Sequence, residues 1–237
     1  MPNCRGCTMV PFKAAIFDLD GTLIDSTGIW AQIDVDFLAK RGLEVPEDYI
    51  QSISDKSFLQ TAEYTIQRFG FSDTPQELME EWHQMAIDAY RSKIGLKPYA
   101  REYLLALRDR GIPLAIATAS SPELYEPVLE HNGIRSLFSA IVTTDQVQRG
   151  KGFPDVFLLA AHKLGVSPKD CIAFEDILPG IRGILAAGMT AYGIYDPYSA
   201  HQRQEIQALA KDYFLDFSIP LAFEQTRMET EKAPSPK

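Results

Sequence analysis

Apolar residues follow two different patterns along this chain of 237 residues. Between residues 25 and 96 they recur at the spacing of helices, as in Trp30, Ile33 and Phe37, and nothing alternates like a strand. Further along, short apolar runs such as residues 113–118 (PLAIAT) alternate with amphipathic helical segments. The pattern therefore predicts an all-helical segment followed by an α/β segment.

A further strand is predicted ahead of the helical segment, over residues 13–18 (KAAIFD). Strands that alternate with helices indicate a parallel sheet with helices on both faces. The predicted core is thus discontinuous and comprises residues 1–24 and 97–223, with a helical cap inserted over residues 25–96 and a disordered tail over 224–237. Because ligands of open α/β sheets bind at the carboxyl ends of the strands, this cap would lie over that edge as a lid.

Polar residues follow four of the predicted strands and would meet at this edge of the sheet. They are Asp18 and Asp20, Thr118 and Ser120, Lys151, and Glu175 and Asp176. Four carboxylates in one crevice would oppose each other's ionisation, which one lysine offsets only in part. Oxygen ligands without histidine or cysteine favour Mg²⁺ over zinc. The sequence therefore predicts a site for a hard divalent cation.

A carboxylate beside a divalent cation and a lysine is well placed to attack phosphorus, because both cations draw charge from the phosphoryl oxygens. Asp20 lies two residues after Asp18 and can protonate the leaving alkoxide, then activate water. Thr118 and the nearby backbone N–H groups of Ala119 and Ser120 would hold the phosphoryl group. Two aspartates that merely solvate a strand end are the alternative, which fits the later strand ends poorly.

Charge and cysteine content narrow the class of partner. The formal net charge is −9, which disfavours binding to nucleic acid or to anionic membranes. No apolar run approaches the ~20 residues of a membrane helix, and the chain start lacks the apolar stretch of a secretory signal. Cys4 and Cys7 form a CxxC pair with no second pair to complete a zinc site, so an incidental pair is favoured. We expect a cytoplasmic protein that is a monomer or a weak homodimer.

Four segments together resemble the haloacid dehalogenase superfamily, in the branch of small phosphatases and β-phosphoglucomutase. They are FDLDGTLIDS (residues 17–26), IATASS (116–121), GKGFPDVF (150–157) and FEDILPGIRGILAAGM (174–189). The resemblance spans nearly the whole predicted sheet domain. It implies a Rossmann-like core with a helical cap inserted after the first strand.

The resemblance also implies roles for individual residues. It makes Asp18 the nucleophile and Asp20 the acid/base, and it assigns phosphate binding to Thr118 and Lys151. It places Mg²⁺ on Asp18, on the backbone carbonyl of Asp20 and on Asp176, with Glu175 nearby or ligating.

Three positions depart from the family pattern. Gly152 replaces a proline in the loop after the lysine, and Ile177 replaces the serine or threonine that usually follows the ED pair. Trp30 stands where β-phosphoglucomutases carry a histidine, which weakens the mutase interpretation. Dehalogenases usually lack an acid/base such as Asp20, so its presence indicates phosphoryl chemistry.

The predicted function is Mg²⁺-dependent hydrolysis of a small phosphorylated metabolite through an aspartyl-phosphate. A β-phosphoglucomutase-like phosphotransferase is the alternative enzyme, and a non-catalytic regulatory protein is the alternative of another class. Specificity is expected to lie in the cap. There Trp30 either faces substrate or belongs to the cap core, and Lys56 either contacts a polar end of the substrate or is solvated.

Overall fold

A parallel sheet forms the core of the protein, in a computed structural model that describes residues 11–53, 56 and 58–219. Six strands lie in the order β3-β2-β1-β4-β5-β6. Their bounds are Ala14–Phe17 (β1), Leu114–Thr118 (β2), Ala140–Thr143 (β3), Cys171–Glu175 (β4), Thr190–Ile194 (β5) and Asp212–Phe214 (β6). Every neighbouring pair is parallel. The predicted α/β fold class is confirmed, while the predicted tail and the Cys4/Cys7 pair lie outside the described residues.

Helices accompany the strands and fill the predicted insertion. Those of the described residues are Ile29–Lys40 (α1), Tyr49–Ile53 (α2), Phe58–Phe69 (α3), Pro75–Ser92 (α4), Ala100–Asp109 (α5), Pro122–His131 (α6), Asp155–Leu164 (α7), Leu178–Ala186 (α8) and Arg203–Leu209 (α9). A 3₁₀ turn at Ala200–Gln202 directly precedes α9. Among the described helices, none combines the length and the apolar character needed to cross a membrane.

Alternate residues of the central strands pack into two different layers. Ala14 and Ile16 face a cluster that includes Phe157 of α7 and Ile181 of α8. Phe17 points the other way and stacks on Phe174, with ring centroids 4.9 Å apart, inside a group of aromatic rings. Burial on both faces explains why these strands are uninterrupted apolar runs in the sequence.

Contacts divide the chain into two compact units. One comprises the chain up to Ile24, Leu96–Ser120 and the chain from Ile134 onward, and it contains the sheet. The other comprises Asp25–Gly95 together with Ser121–Gly133, a segment that the sequence pattern assigns to the predicted core, 97–223. The chain leaves the sheet unit after Ile24 and returns to it at Leu96. These two residues are neighbours, because they form an isolated antiparallel bridge.

The strand order places the reversal of the sheet between β1 and β4. Strands β2 and β3 extend to one side of β1, whereas β5 and β6 extend to the other side of β4. Phe17 is paired with Phe174, and the next amide, that of Asp18, donates to the Phe174 carbonyl oxygen at 3.0 Å. Ligands of doubly wound sheets bind at such a reversal, outside the carboxyl ends of the strands.

Candidate active site

Three carboxylates converge where β1 and β4 end. Asp18 directly follows β1, Glu175 ends β4 and Asp176 comes next. Each offers a carboxylate oxygen, and these oxygens all lie within 4.8 Å of one another. All three residues are buried, with Glu175 fully inaccessible. The register of two neighbouring strands thus brings together residues that are more than 150 positions apart in the sequence.

Lys151 supplies the positive charge of the cluster. Its Nζ donates to Asp18 Oδ1 and, at 2.9 Å, to Glu175 Oε2. Its side chain is only 10% exposed, so solvent screens this charge little. Three ionised carboxylates and one lysine would leave a net charge of −3 + 1 = −2 in this buried cluster. That surplus is the charge that one divalent cation would neutralise.

The pKa values of two carboxyl groups reflect this crowding. Burial, and then the charge of Glu175, raise the pKa of Asp18 to about 7, although Lys151 opposes the shift. Burial and Glu175 likewise raise the pKa of Asp176 to about 9. Burial lowers the pKa of Lys151, but Asp18 and Glu175 outweigh it and raise the value above normal, so the lysine remains charged. The cluster therefore holds more negative charge than its own lysine stabilises.

Asp20 and the end of β2 form the adjoining part of the site. Ser120 Oγ donates to Asp20 Oδ2 at 2.6 Å, and the Ser120 N–H donates to Thr118 Oγ1 at 3.0 Å. Thr118 is fully buried, while Ala119 is exposed at the strand end. A turn at Gly21, with φ of 82°, follows Asp20 directly. The structure thus links the predicted acid/base to the predicted phosphate-binding residues.

Helix α8 packs closely against Glu175. A Cβ atom built on Gly180 would lie 2.3 Å from the Glu175 carboxylate. Only glycine therefore leaves room for that carboxylate beside Lys151. At Gly152, in contrast, a built Cβ atom would lie 3.9 Å from the nearest atom, which is an ordinary van der Waals distance.

Gly180→Ala is accordingly expected to displace the Glu175 carboxylate. We expect the Kd for Mg²⁺ to rise at least about tenfold, because a carboxylate of the cluster leaves its place. Isothermal titration with Mg²⁺ measures this change. Gly152→Ala is the matched control and should bind Mg²⁺ like the unmodified protein. Equal affinities for the two variants would contradict the assignment of Glu175 to the site.

Other residues support the cluster without a recognisable signal in the sequence. Thr22 Oγ1 donates to Asp176 Oδ1 at 3.1 Å; the residue lies in the DLDGT segment but carried no predicted role. Asp196 is fully buried, pairs with Lys97 at 2.6 Å and contributes to the raised pKa of Asp176. Neither residue of that pair lies in a motif.

A glutamine supports the start of α8. Ile177 stands there in place of the serine or threonine of the family pattern, so a polar side chain is missing. Ile177 is the N-cap of α8 and makes no side-chain cap. The N–H of the next residue, Leu178, instead donates to Gln202 Oε1 at 2.7 Å. One of the unpaired amides at the start of this helix is therefore satisfied from a distant segment.

The two predicted substrate residues of the cap lie in the other compact unit. Trp30 is the second residue of α1 and Lys56 follows α2, and both line one cavity within that unit. Trp30 is 43% exposed, so it is not a core residue of the cap. Substrate binding by Trp30 and Lys56 remains a prediction.

The donor set of the acidic cluster fits a hard divalent cation. Its ligand atoms would be carboxylate oxygens of Asp18, Glu175 and Asp176, and the cluster contains no sulfur or imidazole ligand. Such oxygen-only sets suit Mg²⁺ or a cation of similar hardness. The buried surplus of negative charge gives a physical reason for a cation to bind there.

Without a cation, the protein is expected to lose stability as the pH rises from about 4 toward 9. In the folded protein the pKa values of Asp18 and Asp176 are about 7 and about 9, against a usual 3.8 in the unfolded chain. Because the unfolded chain loses these protons at lower pH, the free energy of unfolding falls through this window. Mg²⁺ binds the ionised carboxylates and should oppose the fall.

Thermal melts with EDTA and with Mg²⁺, at about pH 5 and about pH 8, measure this dependence. The increase in Tm caused by Mg²⁺ should be larger at the higher pH. Asp176→Asn serves as the comparison, because it removes one of the two titrating groups and should flatten the pH dependence in EDTA. A Mg²⁺ effect that is larger at the lower pH would contradict the assignment.

Comparison with known proteins agrees with this geometry. The model of the haloacid dehalogenase-like hydrolases matches residues 12–188. The bifunctional riboflavin kinase/FMN phosphatase of Arabidopsis thaliana is 33% identical over 177 residues, which are 74% of this chain and 46% of that protein. The chain thus spans about half of that relative. Hexitol phosphatase B of Escherichia coli K12 is 28% identical over 84% of this chain and 90% of its own length.

One solved structure is similar to this chain in both fold and sequence. It is a HAD family hydrolase from Deinococcus radiodurans with bound phosphate and sodium, and it is 30% identical. The superposition covers 86% of this chain and 91% of that one, with a TM-score of 0.67. The matched segment 12–188 contains the acidic cluster, Lys151 and the end of β2. This chain belongs to the haloacid dehalogenase-like hydrolase family.

Proposed function

We propose that this protein is a Mg²⁺-dependent phosphatase that hydrolyses a small phosphorylated metabolite through an aspartyl-phosphate at Asp18. One observation carries the proposal: three buried carboxylates lie together at the reversal point of the sheet, and two of them pair with Lys151, whose side chain is nearly buried. A phosphate dianion enters such a site only if positive charge is available. Mg²⁺, held by Asp18, Asp176 and the backbone carbonyl of Asp20, with Glu175 nearby or ligating, would supply that charge and draw electrons from the phosphoryl oxygens.

The side chains divide the reaction between them. An Asp18 carboxylate oxygen attacks phosphorus, and Lys151 holds both that carboxylate and the transferring group. Asp20 donates a proton to the leaving alkoxide oxygen as the phosphorus–oxygen ester bond breaks. Asp20 then takes a proton from water, which attacks the phosphorus of the aspartyl-phosphate and restores Asp18. The hydrogen bond from Ser120 keeps Asp20 oriented for both proton transfers.

Relatives support both the reaction and the class of substrate. One is named a hexitol phosphatase and one carries an FMN phosphatase, and a homologous structure holds phosphate. A phosphorylated sugar or sugar alcohol is therefore the substrate class that we favour. A cytoplasmic location, a monomeric or weakly dimeric state and the absence of a nucleic-acid or membrane partner remain predictions.

Phosphate release is the test that separates an enzyme from a non-catalytic regulatory protein. A panel of phosphorylated sugars, sugar alcohols, FMN and 2-phosphoglycolate would be ranked by kcat/KM in the presence of Mg²⁺. We expect turnover of the sugar alcohol or sugar phosphates above the others. No phosphate release from any member, by a protein shown to bind Mg²⁺, would favour the non-catalytic alternative.

Free phosphate, and not an isomerised sugar phosphate, is the expected product. A mutase must exclude water while its bisphosphorylated intermediate turns over, and the bulky Trp30 replaces the histidine expected for one. Time courses by ³¹P NMR with β-glucose 1-phosphate and a bisphosphate primer distinguish the two reactions. Glucose 6-phosphate that forms faster than inorganic phosphate would overturn the phosphatase proposal in favour of a phosphotransferase.

A further inference from the structure

Two glycines flank the lysine of the acidic cluster, in a loop that leads into α7. Gly150 and Gly152 both lie outside the left-handed region of backbone conformation. A Cβ atom built on Gly150 would have no neighbour within 4 Å, and one built on Gly152 would have none closer than 3.9 Å. Neither position therefore requires glycine, and each glycine gives the backbone around Lys151 more conformational freedom than another residue would.

Helix α8 supports this loop by close contact with its backbone. A Cβ atom built on Gly183 would overlap the Lys151 carbonyl oxygen and would lie 2.8 Å from that of Phe153. This contact limits movement of the loop toward the helix, but it does not limit movement away from it. Lys151 Nζ must nevertheless stay within reach of Asp18 and Glu175. The position of the lysine therefore depends on further contacts of the loop.

Arg149 makes such a contact, because its guanidinium joins the two ends of the loop. Its Nε donates to Asp155 Oδ1 at 3.1 Å, and its Nη2 donates to Asp155 Oδ2 at 2.7 Å. The same guanidinium lies over the ring of Phe153, with Cζ 4.6 Å from the ring centroid. Between these contacts, the Phe153 N–H donates to the Gly150 carbonyl oxygen at 3.0 Å and closes a turn around Lys151. Asp155 is the first residue of α7, so the ion pair ties this turn to a packed helix.

The geometry of this ion pair differs from that of an ordinary pair at the surface. Two parallel hydrogen bonds and a ring contact fix the plane of the Arg149 guanidinium, which a single contact would leave free to rotate. The Arg149 side chain is half exposed, so the pair adds little to the free energy of unfolding. Asp155 also occupies two donors of the guanidinium that could otherwise bind a phosphate in the same way. The contact is therefore suited to a local effect on the loop.

We propose that Arg149 is a positioning residue: by pairing with Asp155 and contacting Phe153, it holds the loop in the conformation that brings Lys151 to the acidic cluster. The importance of that lysine for hydrolysis rests on the proposed phosphatase function, whereas its placement does not. Without the guanidinium, the two glycines would let the loop move and carry Lys151 away from Asp18. A displacement of about 1 Å at a reacting group can lower turnover by up to about 100-fold.

Acetylation by an N-hydroxysuccinimide ester, followed by peptide mass spectrometry, measures the placement of Lys151 without any turnover. A nearly buried amine that pairs with two carboxylates should react slowly in the unmodified protein. Arg149→Met should raise this rate about tenfold or more, and so should Asp155→Asn. The double variant should react no faster than either single one, because both remove the same contact. Arg108→Met is the matched control, since Arg108 is similarly exposed and pairs with Asp109 on α5.

Restricting the loop by other means should restore the placement of Lys151. Gly150→Ala and Gly152→Ala both fit the backbone conformation and the space available, and both remove conformational freedom. When both are added to Arg149→Met, the acetylation rate of Lys151 should return to within about threefold of that in the unmodified protein. Equal rates in Arg149→Met and Arg108→Met, or no recovery with the two alanines, would overturn the proposal.

Turnover separates this proposal from the proposed function. In Arg149→Met, kcat/KM for the best substrate of the panel should fall about tenfold or more with little change in Tm, and the two alanines should recover it. Normal kcat/KM in Arg149→Met would refute the positioning role and leave the phosphatase intact. Faster acetylation of Lys151 that the alanines reverse, in a protein that hydrolyses no phosphate ester, would support the positioning role and refute the phosphatase.

Discussion

Asp18→Asn is expected to lower kcat/KM for phosphate-ester hydrolysis by several orders of magnitude, roughly 10⁴- to 10⁶-fold. The amide keeps the size of the side chain but cannot attack phosphorus. Lys151 should keep its ion pair with Glu175, which is 2.9 Å long in the unmodified protein. Phosphate release under saturating Mg²⁺, followed over hours, measures the loss.

Folding should survive this substitution. In the unmodified protein Asp18 is a buried carboxyl whose pKa is raised to about 7 by burial and by Glu175, so loss of its charge relieves repulsion. We therefore expect a Tm at about pH 8 no lower than that of the unmodified protein. Asp170→Asn, at the opposite end of β4 and paired with the exposed Lys13, is the control and should keep full activity. Activity near normal in folded Asp18→Asn would refute its role as nucleophile.

Removal of divalent cations is expected to abolish turnover. With all three carboxylates ionised, the cluster of Asp18, Glu175 and Asp176 would carry a surplus of two negative charges beyond Lys151 and would repel a phosphate dianion. Excess EDTA should reduce phosphate release to background, and added Mg²⁺ should restore it. Ca²⁺ should bind but inhibit, because it takes more ligands at longer distances and disturbs the geometry of attack.

Asp176→Asn isolates the metal requirement from general effects of chelation. Asp176 accepts from Thr22, and the ion pairs of Lys151 are with Asp18 and Glu175, so the loss of Asp176 should affect the cation more than the lysine. The Mg²⁺ concentration for half-maximal activity should rise at least about tenfold. Full activity of the unmodified protein in excess EDTA would contradict the account.

The site could be predicted from the sequence because parallel strands bring their carboxyl ends to one edge. Asp18 directly follows one apolar strand, and Glu175 and Asp176 lie at the end of another. The adjacency of β1 and β4 is the part that only the fold shows. Lys151 was predicted at the same edge because its loop follows a strand as well. Contacts of Lys151 with Asp18 and Glu175 agree with that expectation.

The supporting residues could not be predicted, because their roles depend on side-chain reach between distant segments. Gln202 lies in a 3₁₀ turn with no motif, yet it accepts from the amide of Leu178. The departure at Ile177 indicated the loss of a polar side chain at this helix start, but not what would satisfy the amide. Lys97 and Asp196 form a buried pair across 99 positions without any local pattern.

The packing of α6 shows a similar limit. A serine followed by a proline marks the start of this helix at residues 121–122, and the helix begins there. Those signals are local and do not say which helices the new one contacts. In the structure α6 packs on α4 and groups with the inserted helices. Element type was therefore readable from the sequence, while membership of a compact unit was not.

Chemical trapping shows directly whether Asp18 is the nucleophile. Protein that turns over p-nitrophenyl phosphate with Mg²⁺ would be quenched and reduced with borohydride, which converts an aspartyl-phosphate to homoserine. Peptide mass spectrometry would then locate the change. We expect homoserine at position 18, formed only when substrate and Mg²⁺ are both present. Phosphate release with Asp18 unmodified, or homoserine at another aspartate, would contradict it.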